Sequence, residues 1–221
     1  MGTLNYQNSK EARRDAVTGW RQKIFGVSRA DAWAALAGEI GARVEAGGWW
    51  NGRSRVVADV GAWQVTLDKY VVSTGKSTLT YTRLRAPFLN PSGFRFHIYR
   101  RSVFTDLAKL LGMRDIEVGV QPFDNNFIVK ANDEVRVIQL LCNPRLRTLI
   151  DLQPRISLRV KDDEGWFKAK FPDGVDELHF VALGIIKDLD RLKDLFELFS
   201  ETLYELVEMK VALPAPPGVQ L

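Results

Sequence analysis

The densest run of potential ligands in the chain is FDNNFIVKANDE, residues 123–134, which gathers Asp124, Asn125, Asn126, Asn132, Asp133 and Glu134. Oxygen donors at this density could hold a calcium ion or supply paired carboxylates for acid–base work. A calcium loop of the EF-hand kind needs alternating oxygen ligands, a central glycine and a late bidentate glutamate. Residues 127–131 are Phe, Ile, Val, Lys and Ala, so both the ligand spacing and the glycine are missing. Local backbone chemistry accounts for the same residues. Asp124-Asn125-Asn126 has the composition of a turn, and Asn132-Asp133 stands where a helix over EVRVIQLL needs its N-cap.

Other chemistry-bearing residues meet similar tests. STGKSTLT, residues 73–80, resembles a phosphate loop, but Tyr70 occupies the position of the required first glycine. Strand formers rather than a helix follow it, which puts Gly75 and Lys76 at a hairpin tip. The chain has two histidines, His97 and His179, and one cysteine, Cys142. No zinc-ligand spacing and no Gly-x-Ser-x-Gly elbow accompany them. Cys142 closes an apolar helix, VIQLLC, and is expected to be a small buried hydrophobe. No catalytic, cofactor or metal signature emerges.

The stronger candidate is a basic, aromatic sheet face. In TYTRLR, Tyr81, Arg83 and Arg85 alternate onto one side of a strand. In FRFHIYRR, Arg95, His97, Tyr99 and Arg101 share the side opposite Phe94, Phe96 and Ile98. If these two strands pair, Arg83, Arg85, Arg95 and Arg101 form an anion-binding surface. Such a surface could contact nucleic-acid phosphates and stack bases, or meet anionic lipid headgroups. The plainer expectation is a solvated outer face of a half-buried antiparallel sheet.

The elements that must position these residues are legible in outline. Residues 1–8 look loose, and two N-terminal helices follow, opened by Asn8 with Glu11 and by Ser28 with Asp31. The second places Trp33, Leu36, Ala37, Ile40 and Val44 on one face and ends at Gly47-Gly48. RVVADV, WQVTLDKYVV, STLTYTRLR and FRFHIYRR read as strands, separated by STGK and APFLNPSG. A short helix is expected from Ser102 to Gly112. The second half reads as a strand at NFIVKA, a helix from Asp133 to Cys142, a short helix at PRLRTLI, paired strands RISLRV and GWFKAKF, and a strand at ELHFVAL.

A long helix is expected over about 184–210, with Ile185, Leu189, Leu192, Phe196, Phe199, Leu203 and Leu206 in a heptad-like stripe that Leu195 and Leu198 widen. That width favours a helix lying across its own sheet over a dimer zipper. The fold class is therefore α+β: mainly antiparallel sheet, packed by a long C-terminal helix, with two N-terminal helices. Residues 9–210 are expected to form one domain, with sub-units at 49–120 and 121–210 as an alternative, before a loose proline-rich tail at 211–221.

The block from Phe123 to Ile150 resembles a bacterial family of uncharacterised proteins. The matching positions are Phe123, Phe127, Val129, Asp133, Leu141 and Pro144, with the Leu-to-Pro gap one residue longer than in that family. The resemblance implies two strands and a long terminal helix downstream, and it implies no active site. Members of that family are often tied to membranes by helices that this chain lacks.

Composition bounds the function. With 46% hydrophobic and 26% charged residues in a chain of 221, a substantial core is expected. The net charge of +4 permits an anionic partner without requiring one. The N-terminal stretch has no apolar signal core, and the longest apolar run, LHFVALGII, is too short to span a bilayer. A cytoplasmic location is expected. Three functions follow: a non-enzymatic module binding a protein partner or itself; a nucleic-acid or anionic-surface binder, including peripheral membrane contact; and an enzyme assembled from distant residues.

Overall fold

The computed structural model describes residues 27–46, 54–73, 75–101, 114–162, 171–219 and 221. Nine strands form a single sheet. In chain order they are β1 (Arg43–Glu45), β2 (Arg55–Val60), β3 (Trp63–Ser73), β4 (Thr78–Leu89), β5 (Phe96–Arg100), β6 (Arg114–Ile116), β7 (Phe127–Ala131), β8 (Ser157–Lys161) and β9 (Val175–Leu183). Five helices accompany them among the described residues: α1 (Arg29–Ile40), α2 (Gln121–Asn126), α3 (Glu134–Cys142), α4 (Pro144–Asp151) and α5 (Leu189–Glu208). The class is α+β.

The spatial order is β1-β2-β3-β4-β9-β8-β5-β7-β6, and every neighbouring pair is antiparallel. The expected pairing of β4 with β5 does not occur. β9 and β8 come from far along the chain and lie between them. β4 also runs on through Ala86–Leu89, where the sequence predicts a loop, because Ala86 and Phe88 continue the buried alternation of Leu84.

Alternation gives the sheet two distinct faces. One carries Leu67, Leu84, Phe88, Leu158, Phe180, Ile98 and Val129, all essentially buried. The helices pack on it. α5 supplies Leu192, Leu195, Leu198, Phe199, Leu203 and Leu206, each fully buried within this chain. The stripe is thus consumed by its own core and leaves no zipper seam. At about 1.5–3 kcal/mol per buried side chain, this helix is a major source of stability. Its N-cap is Asp188, which accepts from Arg191 N at 2.8 Å, so the helix begins after Ile185 rather than at Gly184.

Several caps match expectation and several do not. Ser28 caps α1 by accepting from Asp31 N at 3.1 Å, and Ala32, Trp33, Leu36 and Ala37 face the core. The helix ends at Gly41, in the left-handed conformation at φ 66°, well before Gly47-Gly48. That glycine turns the chain into β1, where Val44 is half exposed rather than part of the helical face. Cys142 is exposed, not buried, because α3 turns its Val137, Leu140 and Leu141 face inward and its last residue lies off that face.

The proline-rich tail is not loose. Val211 and Ala212 are buried, Leu213 bridges Leu89 at the end of β4, and Arg55 donates to the carbonyl of Leu221. The expected first helix from Asn8, the Gly47-Gly48 cap, the helix from Ser102 to Gly112 and nearly all of GWFKAKF lie outside the described residues. No helix among the described residues is long and apolar enough to cross a membrane.

Candidate functional site

The other face of the sheet is built differently. Register places one residue from each of seven strands in a single row: Thr66, Arg85, His179, Arg159, His97, Lys130 and Asp115. Directly opposed residues on antiparallel strands share a face, so this row follows from the pairing alone. Arg83 and Asp68 lie opposite each other in the next row, and Glu177 and Lys161 do so on the other side. Among the described residues, the helices pack against the first face.

This tier is largely buried despite its polarity. Arg83, Arg85, His97, His179 and Glu177 are all buried. Most of its charges are matched. Arg83 donates from Nε to Asp68 Oδ1 at 2.8 Å and from Nη2 to Oδ2 at 2.6 Å, with its guanidinium 4.7 Å from the centre of the Tyr70 ring. Arg85 Nη2 donates to the same Oδ2 at 2.9 Å. Lys161 stands 3.1 Å from Glu177, and Lys130 stands 3.2 Å from Asp115. Burial works against the charge of Asp68, but the hydrogen bonds and charges of Arg83 and Arg85 outweigh it and hold its pKa below the ordinary value. Burial raises the pKa of Glu177 and lowers that of Lys161, each against the pull of the other.

Both histidines are held neutral. Burial pushes His97 down to about 3, and the charges of Arg159 and Lys130 push the same way. Burial places His179 well below its ordinary value, reinforced by Lys161, Arg159, Arg83 and Arg85. His97 Nε2 lies 2.9 Å from Ser157 Oγ, a contact that looks like part of a nucleophile triad. The rest of the triad is missing: His97 Nδ1 has no partner to orient it, and a ring of such low basicity is a poor general base. Among the described residues, no group of three or more His, Cys, Asp or Glu side chains could hold a metal ion.

The four arginines read from the sequence are not brought together. Arg83 and Arg85 sit in the tier, bound to Asp68 rather than offered to solvent. Arg95 lies past one end, donating to Asp162 at 2.9 Å and to Asp176 at 3.4 Å. Arg101 lies past the other end of β5 and donates to the carbonyl of Asp124 at 3.2 Å. Asp124 itself accepts from the backbone of Val118 and Gly119 at 2.8 and 2.9 Å, and Asp133 caps α3 through Arg136 N at 3.0 Å. The acidic run therefore performs backbone work.

No protein-family model matches the chain, and no curated protein matches it. Among solved structures, the crystal structure of the mycobacterial trehalose monomycolate transport factor A, TtfA, is similar at a TM-score of 0.48 and 8% identity, over 87% of this chain and 98% of that one.

Sequence reasoning missed Asp68, Arg159, Lys161 and Glu177. Alternation within each strand was a usable signal. Asp68 shares its side of β3 with Tyr70, and Arg159 shares its side of β8 with Lys161. What sequence does not supply is the strand order that sets these residues beside the two histidines.

A separate cleft of about 480 Å³ lies where the tail crosses the sheet, lined by Asp59, Trp63, Gln64, Pro87, Pro216 and Val219 among others.

Proposed function

We propose that the chain is a non-enzymatic binding module whose working surface is the polar face of the sheet, opposite the described helices, and that its partner carries an anionic group. The observation that carries this reading is the contrast between the two faces. The apolar face is occupied by α1 and α3–α5, while the opposite face holds a desolvated tier in which, among the described residues, cations outnumber carboxylates. Arg83, Arg85, Arg159 and Lys161 stand against Asp68 and Glu177 at its centre. Buried polar groups without partners are rare in native proteins and call for an explanation such as a water or ion.

A small anionic group suits this surface better than a polyanion. A nucleic-acid face needs a run of free cations that releases many counterions. Here the cations of Arg83, Arg85, Lys161 and Lys130 are engaged by fixed carboxylates.

Thermal unfolding of the full chain with hexyl phosphate, hexanoate and hexanol tests the reading. The two anions are expected to raise the midpoint saturably, through preferential binding to the native state, while hexanol does not. An equal response to all three, or none, contradicts it.

A further inference from the structure

We propose that Arg159, set between His97 and His179 on the polar face of the sheet, is the seat for one oxyanion, a phosphate or carboxylate group of a ligand. This rests on the reading that the polar face of the sheet is the binding surface, and it names the residue that does the binding.

Among the described residues, no hydrogen bond or ion pair engages Arg159, unlike its charged neighbours. Arg83 and Arg85 hold Asp68, Lys161 holds Glu177, and Lys130 holds Asp115. Arg159 faces His179 on β9 and His97 on β5, and neither ring offers a negative charge to pair with it. Its Nε is buried without a hydrogen-bond partner, and Glu177 and Tyr70 act on it through charge alone. The residue is only part-buried, so an incoming group can reach it.

Two further observations point to a ligand. His97 Nδ1 and His179 Nδ1 are both buried and without partners, on either side of Arg159. In the tautomer that protonates Nδ1, each ring would donate to an oxyanion there. It would also offset the positive field that Arg83, Arg85, Arg159 and Lys161 together impose on His179. Guanidinium recognises carboxylate and phosphate in the same forked geometry, so the shared chemistry is a single oxyanion. Free metabolites and lipid headgroups both carry it.

The chain reports on its own site, because His97 and His179 are its only histidines. Side-chain ¹⁵N spectra of the full chain, labelled at histidine, are recorded during titration with inorganic phosphate, with acetate and with vesicles containing phosphatidic acid. Saturable movement of both histidine signals by free anion is expected, with affinity weakened about tenfold or more in Arg159→Gln. Lys193→Gln, on the outer side of α5, should titrate like the parent. Arg159→Lys, which keeps the charge but loses the fork, should fall between them. It also provides the comparison if Arg159→Gln fails to fold.

Movement by vesicles alone supports the seat and assigns its oxyanion to a lipid headgroup. Histidine signals that stay still, or that move undiminished in Arg159→Gln and Arg159→Lys, overturn the seat. If anions raise the thermal midpoint while the histidines stay still, the binding face stands and Arg159 is the wrong residue. If neither responds, both readings fall.

Discussion

Arg83 grips Asp68 with two hydrogen bonds, at 2.8 and 2.6 Å, directly across the β3–β4 ladder. Their side chains are only 8% and 13% exposed, so the pair is largely desolvated. Removing one member leaves the other charge buried and uncompensated. Asp68→Ala is expected to destabilise the protein by about 3–5 kcal/mol. Adding Arg83→Leu should recover part of that loss, since one of the two cations that Asp68 holds is then gone. Chemical denaturation measures both. A loss under about 1 kcal/mol in Asp68→Ala would place the pair among ordinary surface bridges.

Stability should depend on pH through the histidines. A folded pKa near 3 for His97 means that the unfolded chain takes up a proton that the native face refuses. Stability therefore falls as pH drops from about 6.5, the unfolded value, toward 3. His97 adds a slope of about 1.4 kcal/mol per pH unit in that window, and His179 acts in the same sense. Glu177 and Asp176, raised by burial, act in the opposite sense: their contribution is present at low pH and lost as pH rises through their shifted values. Comparison with His97→Gln isolates the histidine. That variant should show the shallower decline between pH 6 and 4, and an unchanged slope would show that His97 protonates freely in the native state.

The C-terminal helix should behave as core and not as an interface. Phe199 is fully buried beneath the sheet. Phe199→Ala is expected to cost about 3–5 kcal/mol from lost transfer energy and the cavity left behind. The loss should be independent of protein concentration by denaturation. A concentration-dependent midpoint would show that the stripe pairs between chains.

The acidic run should be structural. Asp133→Ala removes the α3 cap and is expected to cost about 1 kcal/mol. Calcium should not shift the thermal midpoint of the parent, because Asp124 and Asp133 are engaged by backbone amides. A saturable rise with calcium would contradict this assignment.

How much of this was legible in the sequence depends on range. Local signals were reliable where the physics is local. Ser28, Asp133 and the 3–4 stripe of α5 sit where capping and helical periodicity put them, and strand alternation correctly set His97 opposite Phe96 and Ile98. The errors came from longer range. Nothing in TYTRLR or FRFHIYRR says that β9 and β8 insert between them, so the four arginines were expected on one surface that the fold does not build. Solvent exposure failed for the same reason: alternation gives the side of a strand, but not whether that side is wet. Arg83 and Arg85 proved buried, and their partner Asp68 had been passed over as an ordinary strand residue. The buried tail and the exposed Cys142 likewise depend on which neighbours tertiary packing supplies.

Calorimetric titration of the full chain with hexyl phosphate, at low and at physiological salt, tests the central claim most directly, with Arg159→Gln beside it. The account predicts saturable binding by the parent with a shallow salt dependence, as one phosphate contact requires, and binding weakened about tenfold or more in the variant. Absence of binding at low salt, or equal binding by parent and variant, would contradict it.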